Sequence, residues 1–131
     1  MLSFGELLRM FIGILANTLL YAKEHWLNFP NDVDGDVLRR LGDSGFDFSK
    51  TWEIDFNVDF NSWPPSQEAL NILEKEYGAI EVFEPEEESD GYVLFNITSV
   101  VSYDLIMDTQ RKASSLVSTF GGVCESWGVL H

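Results

Sequence analysis

One cysteine, two histidines and eight Lys or Arg are all that 131 residues contain of those types, and each scarcity excludes a class of function. Cys124 alone closes no internal disulfide and builds no structural zinc site. That usage suits a reducing compartment, so the expected location is cytoplasmic. His25 lies in an apolar N-terminal stretch and His131 is the last residue. No Ser/His/Asp or Cys/His constellation can be assembled from them. Glu125 beside Cys124 disfavours the thiolate that a nucleophilic cysteine needs. The phosphate cradles G-x-x-x-x-G-K-[ST] and G-x-G-x-x-G are missing too. No catalytic residue and no cofactor are expected, and the chain does not read as an enzyme.

The shortage of cations has a second consequence. Eight basic residues against 22 acidic ones leave a net charge of −14. Binding phosphates needs clustered cations, so nucleic acid is not expected as a direct ligand. An acidic chain is suited instead to a basic protein surface, of the kind that nucleic-acid enzymes carry. The charge is unevenly placed. Residues 1–29 hold Glu6, Arg9, Lys23 and Glu24, which cancel, so the whole excess lies beyond them. The reading is an apolar helical extension over 1–30 followed by one acidic domain over 31–131.

In the extension, Leu7, Leu8, Phe11, Ile14, Leu15, Leu19 and Ala22 fall on one wide helical face, which predicts a helix over 1–27. Gly13, Asn17 and Thr18 interrupt it, and a membrane span needs about 20 apolar residues. No membrane partner is expected. Glu6 offsets Arg9 and no A-x-A site follows, unlike an export signal. The apolar face is expected to pack on its own domain or to form a homodimer.

In the acidic part, Asp32-Val33-Asp34-Gly35-Asp36 opens like a calcium loop, but the template's Gly at position six and Glu at position twelve are here Val37 and Asp43. A helix over 31–42 with carboxylates at its N-terminus is expected, and no metal. Residues 51–61 alternate. Trp52, Ile54, Phe56, Val58 and Phe60 form a dry side, and Glu53, Asp55, Asn57, Asp59 and Asn61 a wet, acidic one. After Trp63-Pro64-Pro65, Ser66 caps a helix that Gly78 ends. A short strand over 79–84, the charged turn Pro85–Asp90, a strand over 91–101, a helix over 104–120 stopped by Gly121-Gly122, and a strand over 123–130 complete the chain. The last six elements read β, α, β, β, α, β. This is the split βαβ, ferredoxin-like arrangement of an α+β fold, a four-stranded antiparallel sheet with two helices on one face.

Such a sheet leaves one face uncovered by its helices. Glu53, Asp55 and Asp59 would line it as a flat anionic platform, with Glu84, Glu86, Glu87 and Glu88 in the turn and Glu125 near the end. Trp127 and Trp63 are candidates for an aromatic contact with a partner, while Trp52 is expected in the core.

Several stretches together resemble one family. They are Leu38–Lys50 (LRRLGDSGFDFSK), the strand opening TWEIDFNVDF, the helix ending Tyr77-Gly78, and the close FGGVCESWG. They are similar to the regulators of ribonuclease activity B, bacterial proteins that inhibit ribonuclease E. The acid, the Trp and the last Gly of that family's usual Tyr-Asp-Gly-Trp-Gly close stand here as Glu125, Trp127 and Gly128. Cys124 and Ser126 replace its Tyr and first Gly. The resemblance covers residues 33–130 and implies a ferredoxin-like, non-catalytic protein that binds a ribonuclease directly. The alternative is an immunity protein that neutralises a cognate secreted nuclease toxin. A small enzyme and an orphan oligomeric module are the competing classes.

Overall fold

A computed structural model describes residues 29–131. The helix expected over 1–27 lies outside the described residues. The chain divides into two compact units, Met1–Phe48 and Ser49–His131.

In the first unit, helix α1 spans Val33–Asp43. Its start uses the carboxylates that had suggested a calcium loop. The Asp32 side chain caps the helix by accepting from the Gly35 amide at 2.7 Å, which satisfies one of the unpaired donors of the first turn. Asp36 pairs with Arg39 one turn on. The Arg39 guanidinium also donates to the Phe29 carbonyl at 2.8 Å and so ties the incoming chain to the helix. Leu38 is fully buried, and the Phe46 and Phe48 rings meet edge to face at 4.9 Å.

The second unit holds strand β1 (Thr51–Phe60), helix α2 (Gln67–Tyr77), β2 (Glu81–Phe83), β3 (Tyr92–Val100), α3 (Tyr103–Val117), one turn of 3-10 helix (Ser118–Phe120) and β4 (Gly122–Val129). The strands form one antiparallel sheet in the order β2-β3-β1-β4. That is the ferredoxin-like order expected from the element sequence. Both helices start on serine caps. Ser66 Oγ accepts from the Ala69 amide and Ser102 Oγ from the Leu105 amide, each at 3.1 Å, and each cap is worth about 1 kcal/mol.

The dry side of β1 forms the core. Ile54, Phe56 and Val58 are fully buried, together with Val93 and Phe95 of β3, Leu73 of α2, and Ile106 and Val117 of α3. Burying each large apolar side chain stabilises by about 1.5–3 kcal/mol. Phe95 is central. Its ring stacks on Phe56 at 5.3 Å and on Tyr77 at 3.8 Å. The inward stripe of α3 includes Thr109 and Gln110, both buried, while Leu105 and Leu116 of the same helix are half-buried. Ser114 staples α3 to β4, with its hydroxyl accepting from the Cys124 amide at 2.9 Å and donating to the Cys124 carbonyl at 3.2 Å. Cys124 is buried in β4, as a small strand residue should be. Among the described residues, no helix is long and apolar enough to cross a membrane.

Candidate functional site

Within the second unit, α2 and α3 cover the side of the sheet that carries Phe56 and Phe95, so the opposite, open side of the same strands carries no helix of that unit. Strand register dictates what stands there, because residues directly opposite one another share a face. Phe83 pairs with Tyr92, Tyr92 with Asp59, and Asp59 with Val123. One rung thus crosses all four strands as aromatic, aromatic, carboxylate, aliphatic. The next open-side rung is Glu81, Leu94, Asn57 and Ser126, and beyond it Asn96, Asp55 and Gly128. Glu53 ends the acid row opposite Thr98, where it accepts a hydrogen bond from the Asn96 amide group at 2.8 Å. Glu53, Asp55 and Asp59 therefore lie in line on β1.

Asp59 of this row sits where its charge is disfavoured. Partial burial is the main cause, and the charges of Glu125 and Asp90 push the same way, so its pKa is raised. Desolvation and like charge both disfavour the ionised form. No ion pair relieves the three acids among the described residues. The Phe83 and Tyr92 rings beside them stack at 4.7 Å, nearly parallel, and Phe83 is 37% exposed. The arrangement attracts cations and offers them a flat aromatic neighbour.

The other candidates have different settings. Glu84 is held by Trp63, whose indole Nε1 donates to its Oε2 at 2.8 Å. The same indole lies over Gly91, where a Cβ would come within 2.8 Å of the ring. Glu86, Glu87 and Glu88 are exposed in a tight turn closed by the Glu86 amide on the Ser89 carbonyl at 2.8 Å. Glu125 is the extra residue of a bulge in β4, since Val58 pairs with Cys124 and Asn57 with Ser126. That bulge puts Trp127 opposite Phe56, on the helix-covered side and half-buried. Trp52 shares that side and is also half-buried.

Sequence reasoning missed Phe83, Tyr92 and Asp90. Phe83 sits in a strand of three residues, too short for alternation to read. Tyr92 was hidden because Val93, Phe95 and Ile97 dominate its strand. Among the described residues, no group of three or more His, Cys, Asp or Glu side chains is placed to hold a metal ion.

Compared with known proteins, residues 31–129 match the family model described as regulator of ribonuclease activity B. No curated protein matches the chain.

Proposed function

The chain belongs to the regulator of ribonuclease activity B family, and from that membership we propose that it is a non-enzymatic protein that binds ribonuclease E in the cytoplasm and inhibits it through the open face of its sheet. The observation that carries this reading is the row Glu53, Asp55 and Asp59, on the side of the sheet away from α2 and α3, next to the Phe83–Tyr92 stack. Its mechanism has two stages. The excess of 14 negative charges draws in a basic surface of the enzyme and raises the encounter rate. The aromatic pair and Val123 then bury apolar area, which sets residence time. Occupying a surface that RNA would otherwise reach lowers cleavage without any chemistry by this chain.

The test is RNA cleavage by ribonuclease E with increasing amounts of the wild-type protein or of the Asp55→Asn/Asp59→Asn variant. The wild type should inhibit, and the variant should fold normally but need about tenfold more protein for the same effect. Equal inhibition by both would remove the open face from the mechanism. Cleavage of RNA by the purified protein alone would defeat the non-enzyme reading.

A further inference from the structure

Strand β3 is paired along its whole length on one side only. With β1 it runs from Thr51–Val100 to Asp59–Tyr92, whereas β2 covers its other side only from Tyr92 to Leu94. From Phe95 to Val100 the outer edge has no strand beside it among the described residues. The segment itself carries none of the local devices that blunt such an edge, for it holds no proline, no lysine and no bulge against β1. Ile97, Thr98 and Val100 are β-branched, which favours an extended chain, and Val100 is 43% exposed.

A cavity of about 460 Å³ opens beside this edge, between Asn96 and Ile97 of β3, Tyr77 at the end of α2, and Thr109 of α3. The Tyr77 hydroxyl is buried and has no hydrogen-bond partner. A row of unpaired amides and carbonyls is matched best by another extended backbone. The surrounding charges decide whose backbone it is. Glu76 and Asp108 line the cavity on the helix side, while Asp55 and Glu53 stand one strand in from the edge, on β1, opposite Asn96 and Thr98. Lys112, the one cation lining the cavity, is already paired with Glu76. A second copy joined edge to edge would bring two acid-rimmed edges together, in a chain of net charge −14.

We propose that the Phe95–Val100 edge takes up an extended, lysine- or arginine-rich segment of another protein as a fifth strand. The docking element here is the backbone edge of β3, away from the Asp59 end of the acid row, and it stands or falls apart from the ribonuclease reading.

The test uses the full chain and a short peptide of alternating lysine and valine, followed by amide hydrogen exchange and titration. Every other amide from Phe95 to Val100 should exchange at least about tenfold more slowly with the peptide bound. N-methylation of alternate peptide residues should abolish binding in one frame and spare it in the other, and a glutamate–valine peptide should bind at least about tenfold more weakly. The Asp59→Asn/Glu125→Gln chain, altered on the open face alone, should hold the lysine–valine peptide within about twofold. No binding, protection outside the segment, equal effects of both N-methyl frames, or loss of the peptide in the open-face variant would each overturn the proposal. So would protection of the same amides by self-association without peptide.

Discussion

Asp59 shows how a single side chain can be placed against its own stability. Its raised pKa means that the folded state holds the proton more tightly than the unfolded chain does. Stability therefore falls as pH rises from the unfolded carboxylate value near 3.8 through the folded one, and the penalty is fully present at neutral pH. The Asp59→Asn protein should melt at a higher temperature than the wild type at pH 7, and the gain should vanish as pH falls toward 3.8. A series of thermal melts against pH checks this. Tyr77 is the alkaline counterpart. Burial first, then the charges of Glu76 and Cys124, push its phenol up to about 12. Between the ordinary tyrosine value of 10.0 and that figure, the unfolded chain loses the proton while the folded one keeps it, so stability falls with rising pH. Tyr77→Phe should flatten that alkaline loss, as read from denaturant midpoints across the range.

At the scale of elements, the turn into β4 depends on one backbone geometry. Gly121 has a φ of +77°, and a Cβ there would fall 2.0 Å from Asn61 Oδ1. Gly121→Ala should cost about 1–3 kcal/mol and loosen the contact in which the Asn61 amide donates to the Gly121 carbonyl at 3.0 Å. Ser114→Ala should cost about 1–3 kcal/mol, because it removes both bonds between α3 and Cys124. Urea unfolding of each variant gives the numbers. Most elements were legible from periodicity and punctuation. The alternation of β1, the Ser66 cap and the Gly78 stop all stand where the residues placed them. The side on which Trp127 stands was not legible. Strict alternation from Val123 would put Glu125 and Trp127 together with Val123 on the open side. The bulge at Glu125 shifts the count by one residue and sends Trp127 to the other side. No local residue type announces that bulge, because it is a property of two strands in register.

For the whole molecule, the charge makes a prediction that no single residue does. If the net −14 steers association, the rate of binding to ribonuclease E should drop steeply between about 50 and about 500 mM salt, as the Debye length shrinks from roughly 14 Å toward about 4 Å. Stopped-flow association measured across that range should show it, with dissociation changing far less. Charge and strand order could be read from the composition and the element sequence. The aromatic half of the open face could not, because it is assembled from a three-residue strand and a neighbour distant in the chain. The acid row has one more property. It rides on β1, which is hydrogen-bonded to β3 on one side and to β4 on the other. Amides paired on both sides in this way belong to the more protected part of a fold. The carboxylates are thus mounted on a strand held at both edges, and docking surrenders little backbone entropy on this side of the interface. A ribonuclease that meets this face must do the adapting itself, and the ordering entropy of binding falls on the enzyme.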